Sequence, residues 1–397
     1  MHYVRLLRPP KLSRSARATQ VELVLAVTTD LGDAYLLPDE ALDLVVRAEV
    51  KSSSTSAVVA SCELSAHEKL QWRAGNRVLK PTFELPPAVA RAVASGDRVE
   101  LCVGPAPPFS ADGLRTILAS SEDGAEGLVM PVWVVLGGGG ANGDDDVCLR
   151  RLRLGSAAVA AQLELEEELG DSIARHIWDA SPVALAALAG AYESPGRESS
   201  RPQPCVQQLR RLFDESESIN ILELGCGVGI LGAGLSAVYP RARARACTIL
   251  MTDLDQAAGR ARSNLGLLTR QQAAGSARLL YENLDWEDGR DGRFGPLLRH
   301  RRWDLVMLSD CTYNTDTLPA LVATLSALHR YNARQVDGGD AFTSKVFIAT
   351  KPRHPSERAV FDLLAKDGWS TLATQTLPLP VMGGEAQVVE MYLFEKE

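Results

Sequence analysis

The densest chemistry in the chain lies in Ile219-Asn220-Ile221-Leu222-Glu223-Leu224-Gly225-Cys226-Gly227-Val228-Gly229-Ile230-Leu231-Gly232. An apolar run enters a glycine-rich turn and leaves as a helix-compatible run. Gly225 and Gly227 permit a tight turn and a close backbone approach to a ligand, and Gly229 lets the helix pack near the strand. With Gly232 as third glycine the spacing also fits the G-x-G-x-x-G of dinucleotide sites, a weak signal by itself. The next strand ends in Met251-Thr252-Asp253-Leu254-Asp255. An acidic residue there can accept both hydroxyls of a ribose. After a third strand comes Asn283-Leu284-Asp285-Trp286, where a carboxylate can take the adenine amino group and an indole can cover the ring.

Two ligands share the ribose step, and Glu223 separates them. A carboxylate just before the glycines would repel a pyrophosphate, whereas it suits a cationic amino group. That, with Asp285-Trp286, favours S-adenosylmethionine over NAD. Asp310-Cys311-Thr312-Tyr313 follows the fourth strand, at the carboxyl edge of the sheet where such folds place their ligands. Cys226 and Cys311 read as small buried residues rather than nucleophiles, since no histidine stands beside either.

Composition narrows the class. The 397 residues suffice for two domains, and 46% hydrophobic with 23% charged is a soluble globular balance. A net charge of -8 and a pI near 5.4 argue against nucleic acid as partner. The seven cysteines are scattered, without a C-x-x-C pair. They read as reduced thiols of a cytoplasmic or nuclear protein, with no disulfide framework. No histidine pair has metal-ligand spacing, so no metal site is expected. No apolar run spans a bilayer, so no membrane is expected. The start, Met1 to Arg8, has no signal-peptide core and reads as an arm or first strand. A monomer acting on a protein substrate is expected.

The elements that must position these residues divide at Gly137-Gly138-Gly139-Gly140-Ala141-Asn142-Gly143-Asp144-Asp145-Asp146, read as a flexible linker over 137–147. Residues 1–136 carry short β-type runs at 21–28, 42–50, 98–103 and 128–136, without a convincing long helix. They suggest a β-rich sandwich or barrel module. From 148 to 397 strands and helices alternate, as in an α/β fold built on a mostly parallel sheet. An amphipathic run at 158–177 predicts a helix. A second helix is entered through Ser181-Pro182, with Ser181 as cap. Residues 194–204 read as a polar loop. Strands follow at 219–224, 248–252, 278–282, 303–309 and 346–350, with helices at 230–238, 256–268, 318–330 and 356–366. The last strands, 370–375 and 387–393, lack an intervening helix and should pair as an antiparallel hairpin. Lys351-Pro352-Arg353-His354 and residues 241–245 read as solvated turns.

The ordered set resembles the lysine-methyltransferase-like group of Rossmann-like seven-strand methyltransferases (methyltransferase family 16) from about Ile173 onward. It rests on Ile177-Trp178-Asp179-Ala180, the glycine segment, Thr252-Asp253-Leu254-Asp255, Leu284-Asp285-Trp286 and Trp303-Asp304-Leu305-Val306-Met307-Leu308-Ser309-Asp310-Cys311-Thr312-Tyr313. The resemblance implies that Trp178 lines the cofactor pocket, Asp253 holds the ribose and Asp285-Trp286 hold the adenine. The expected cofactor contacts are Trp178, Glu223, Gly225, Gly227, Gly229, Asp253, Leu254, Asp285, Trp286 and Ser309. It also implies that Asp310-x-x-Tyr313 marks protein-lysine methylation, since the Asn/Asp-Pro-Pro motif of many DNA and glutamine methylating enzymes is missing. Asp310 is expected to orient the amine and Tyr313 to present its hydroxyl or a ring edge and close the pocket. A protein histidine or a small amine as acceptor, or a scaffold without turnover, are the alternatives. The β-rich module lies outside the resemblance and is expected to help select the substrate.

Overall fold

Ile221, Leu222 and Leu224 in one strand and Ile249, Leu250 and Met251 in the next are fully buried. Such unbroken apolar runs belong to parallel strands covered on both faces. The computed structural model describes residues 1–16, 18–52, 57–67, 69–123, 127–137, 146–155, 162–169, 175–193, 203–242, 246–271, 277–335 and 342–397. Its C-terminal sheet comprises β1 (Ser218–Leu224), β2 (Ala246–Asp253), β3 (Arg278–Asn283), β4 (Leu305–Ser309), β5 (Ser344–Thr350), β6 (Ser370–Leu379) and β7 (Gln387–Lys396). The strand order is β3-β2-β1-β4-β5-β7-β6. All pairs among β1 to β5 are parallel, and β7 runs antiparallel to both β5 and β6. The order reverses between β1 and β4, so a crevice opens at their carboxyl ends.

Among the described residues the sheet is flanked by helices α1 (Ala180–Glu193), α2 (Pro204–Glu215), α3 (Ile230–Ala242), α4 (Asp255–Gln271), α5 (Leu318–Ala333) and α6 (Ala359–Lys366). The helix α2 had not been anticipated. Its buried residues Cys205, Val206, Leu209 and Phe213 recur at helical spacing. Arg241 falls inside α3, and 243–245 lie outside the described residues. No helix among the described residues is long and apolar enough to cross a membrane.

The N-terminal strands form a seven-stranded antiparallel sheet and two of three strands. The large sheet runs Gln162–Glu168, Val147–Arg153, Val132–Leu136, Arg98–Pro105, Leu42–Lys51, Val58–Glu63, with Leu70–Trp72 also on Leu42–Lys51. This corrects two expectations. Residues 162–168 are a strand, not part of a helix, and the β module extends to Glu168 rather than ending at 136. Leu165 and Leu169 have the spacing of a helix face, but Leu163-Glu164-Leu165-Glu166 alternates as a half-buried strand does. The neighbouring strand decides: Arg150 Nε donates to Glu167 Oε2 at 2.6 Å and Arg151 Nε to Glu164 Oε2 at 2.6 Å, pairs that only cross-strand register brings together. Of the 137–147 linker, 138–145 lie outside the described residues, as do 156–161, 170–174 and most of the 194–204 loop.

Among its described residues the N-terminal part also holds two helices, Pro87–Ser95 and Leu114–Asp123. Leu114 and Ile117 of the second join Met1, Tyr3, Met130, Leu152, Leu163 and Leu165 in one buried cluster with Ile177, Leu185 and Leu188 and with β1 and β5. One hydrophobic core therefore spans the β module and the parallel sheet.

Candidate active site

A cavity of about 300 Å³ opens at the carboxyl ends of β1, β2, β3 and β4. Its floor is the glycine turn. Gly225 has φ +65°, and a Cβ there would stand 2.6 Å from Cys311 Sγ and 3.4 Å from the Trp286 ring. Gly227 donates its N–H to Asp253 Oδ2 at 2.7 Å, and Leu254 N–H donates to Asp253 Oδ1 at 2.7 Å. Both oxygens of Asp253 are thus aimed by the backbone at the end of β2, and burial raises its pKa. Gly229, with φ +87°, does not line the cavity but sits against Met251, where it lets α3 approach β2.

Glu223 is buried in the wall, its Oε2 accepting Gly232 N–H at 3.1 Å. Among the described residues no cation pairs with it. Burial pushes its carboxyl up to about 8, only partly offset by the Gly232 N–H. Asp285 caps a single helical turn, Trp286–Gly289, accepting Glu287 N–H at 2.9 Å. Trp286 is half-buried beside the glycine turn, Ser309 accepts the Ser181 hydroxyl at 3.0 Å, and Trp178 lines the same cavity. Leu254 and Tyr313 stand on the rim, 41% and 55% exposed. Burial on one side raises the pKa of the Tyr313 hydroxyl, so it keeps its proton at neutral pH.

Asp310 sits differently from the expectation. It lines the cavity with φ +52°, but both its oxygens are engaged. Oδ2 accepts Ala180 N–H at 2.8 Å; Oδ1 accepts Lys351 N–H at 3.0 Å and an Arg353 guanidinium N–H at 2.8 Å. It therefore caps α1, whose start Ser181 had been expected to hold. Ser181 cannot, because α1 begins one residue earlier and its hydroxyl points to Ser309. Burial raises the Asp310 pKa despite the facing Arg353.

Lys351 is buried and Arg353 partly buried behind the cavity wall, whereas Pro352 and His354 of the same segment are exposed as expected from sequence. Lys351 Nζ donates to Asp179 Oδ2 at 2.8 Å and Asp30 Oδ1 at 2.9 Å. Arg353 lies 5.1 Å from the Trp178 ring centroid and also reaches Asp30 Oδ2 at 2.6 Å. Asp179 further accepts the Tyr3 hydroxyl at 2.8 Å and the amino group of Met1 at 2.9 Å. A signal for the basic pair existed, since it follows β5, the strand beside Asp310. Asp30 had none, being 323 residues from Arg353.

A reversed strand order, a glycine cradle that any side chain would fill, and a buried acid without a cation describe a receptor for a nucleoside bearing a positive charge. The class so defined is the Rossmann-like methyltransferase, with S-adenosylmethionine as cofactor. The chain belongs to the lysine methyltransferase family (methyltransferase family 16), which matches residues 158–367. A UPF0665 family protein of Schizosaccharomyces pombe is 23% identical over 371 residues, 94% of either chain. That similarity runs through the β module as well. Among solved structures, TrmN from Thermus thermophilus shares 16% identity at a TM-score of 0.31, covering 48% of this chain and 48% of its own. An S-adenosylmethionine-dependent methyltransferase from Aquifex aeolicus shares 13% at 0.31, covering 47% and 88%.

Proposed function

We propose that this protein transfers a methyl group from S-adenosylmethionine to the ε-amine of a lysine in a protein substrate. The observation that carries this reading is the open rim: Tyr313 and Leu254 stand exposed beside a deep cavity, as suits an acceptor delivered by a macromolecule. A second cleft of about 390 Å³ shares His176 and Trp178 with the first and is walled by Arg5, Leu7, Thr28, Leu31 and Tyr35 of the β module. Its exposed Leu7, Leu31 and Tyr35 support a part for that module in holding the substrate.

Bound S-adenosylmethionine supplies an electrophilic methyl on a sulfonium. Glu223 would face its cationic amino group, Asp253 would accept the ribose hydroxyls, and Asp285 and Trp286 would flank the adenine. The acceptor must arrive neutral. For a lysine of pKa about 10.4 this costs roughly 4.6 kcal/mol at pH 7, and the neighbouring sulfonium lowers that cost. Neither Asp310, whose oxygens hold three donors, nor the protonated Tyr313 serves as a strong base. The proton leaves to water, and alignment against Tyr313 supplies the rate.

The test is tritium transfer from labelled S-adenosylmethionine into a lysate by the wild-type chain and by Gly225→Ala, with the labelled residue identified. Label on a protein lysine, rising from pH 7 to 9 at saturating cofactor and lost in the variant, supports the reading. Label on histidine or a small amine moves the acceptor, and no label ends the proposal.

A further inference from the structure

We propose that Asp30 is a positioning residue of the methyl-transfer site: through Arg353 and Lys351 it holds Trp178 and Asp310 in the arrangement that binds S-adenosylmethionine. This makes the β module a working part of the site rather than an appendage, and it rests on the assignment of the cavity as the cofactor site.

Asp30 follows the strand Leu25–Thr28 and is 2% exposed. Its Oδ1 accepts Lys351 Nζ at 2.9 Å and Leu31 N–H at 3.0 Å. Its Oδ2 accepts Arg353 at 2.6 Å and Asp179 N–H at 3.2 Å. Asp310 pairs with Arg353 and Asp179 with Lys351, and among the described residues Asp30 alone pairs with both cations. It is the hub of the charge network. Burial alone would raise its pKa, yet Arg353 and Lys351 hold the carboxyl well below the usual range.

Three consequences meet at the cavity. Arg353 is gripped between Asp30 and Asp310 while lying over Trp178, so the tilt of the indole depends on both carboxylates. Asp30 also receives the N–H of Asp179, which fixes the turn that carries Trp178. And Asp310, which caps α1, keeps its guanidinium partner because Asp30 holds the other arm. Buried ion pairs are a poor way to gain stability, since apolar packing of the same volume commonly does as well. A charged hub here is better matched to fixing one geometry, and the geometry it fixes is the cavity wall.

The test is calorimetric titration of S-adenosylmethionine into full-length wild type, Asp30→Asn, Asp30→Glu, Arg353→Lys and the Asp30→Asn/Arg353→Lys pair. Asp33→Asn, on the exposed side of the same turn, is the control, and each variant's melting temperature is recorded. Asp30→Asn should weaken binding by about tenfold or more and the pair should be non-additive. Asp30→Glu should recover part of the loss, and Asp33→Asn should bind as wild type. Arg353→Lys keeps the charge but not the two-armed bridge or the flat contact with Trp178, and should weaken binding even if Asp30→Asn fails to fold. Wild-type affinity in folded Asp30→Asn, or in Arg353→Lys, would overturn the proposal even where melting temperatures fall. No binding by wild type would instead remove the cofactor assignment, and the proposal with it.

Discussion

Asp310 accepts the backbone N–H of Ala180 at 2.8 Å across 130 residues of sequence, so the acid at the end of β4 starts the helix α1. Its other oxygen holds Arg353 and Lys351 N–H. Removing one partner of a buried pair costs about 3–5 kcal/mol when it strands the other charge, and Arg353 here keeps Asp30. Asp310→Asn should therefore lose stability by less than that in a urea melt and lose methyl transfer with it. Asn accommodates the left-handed backbone at φ +52°, so backbone strain is not the cause. A variant of unchanged stability but no transfer would return Asp310 to the amine-orienting role.

Glu223 gives the proposed cofactor cavity a pH dependence whose sign follows from its environment. Its folded pKa of about 8 lies above the ordinary 4.5. The group's contribution to folding is therefore fully present below 4.5 and is lost as pH rises through about 8. A cationic ligand binds the ionised form and reverses that loss. Affinity for S-adenosylmethionine should rise with pH, by at most about tenfold per unit, and level off above pH 8. Titration calorimetry between pH 6 and 9 measures it, and Glu223→Gln should flatten the curve. A wild-type curve that is flat would show that Glu223 does not face the cofactor charge.

The gathering of Glu223 and Asp253, at the ends of β1 and β2, with Asp285 and Trp286, just after β3, was legible because a parallel sheet brings those strand ends together. The anchoring of Asp310 was not, since its partners lie far away in sequence. Periodicity misled at residues 162–168, where the spacing of Leu165 and Leu169 fits a helix face although Leu163-Glu164-Leu165-Glu166 alternates. The alternation, and the register with Arg150 and Arg151 on the adjacent strand, select the extended form. The glycine run beginning at Gly137 marked a change in composition. It did not mark a change in core, because Val147–Arg153 continues the sheet beyond it.

Gly225 predicts a clean loss of cofactor binding. A Cβ there meets Cys311 Sγ at 2.6 Å, and φ +65° disfavours any L side chain. The sulfur cannot retreat easily, because it is enclosed by the carbonyl oxygens of Leu224, Gly225 and Ser309 at 3.3–3.5 Å, one of which accepts its single S–H. Gly225→Ala should abolish detectable S-adenosylmethionine binding, whereas Gly266→Ala, with no atom near its Cβ, should leave it intact. Equal binding by both would show that the turn yields.

The same shared core decides what truncation at the glycine run would do. A chain beginning at Cys148 keeps Gln162–Glu168 but loses the strand Val132–Leu136 that pairs with Val147–Arg153. It also loses Met1, Tyr3, Leu114, Ile117 and Met130 from the cluster around α1. The buried Arg150 loses the Met130 and Pro131 carbonyls at 3.2 and 2.9 Å. Arg150 orients Glu167, which in turn accepts Ile177 N–H at 2.8 Å just before Trp178. The truncated chain should therefore show no cooperative melt and no thermal shift with S-adenosylmethionine. Co-expression of residues 1–137 should restore both, because the two pieces meet through packing and buried charge. A cooperative melt with cofactor binding in the truncated chain alone would show that the parallel sheet needs no help from the β module. The Asp30 network would then serve only to attach it.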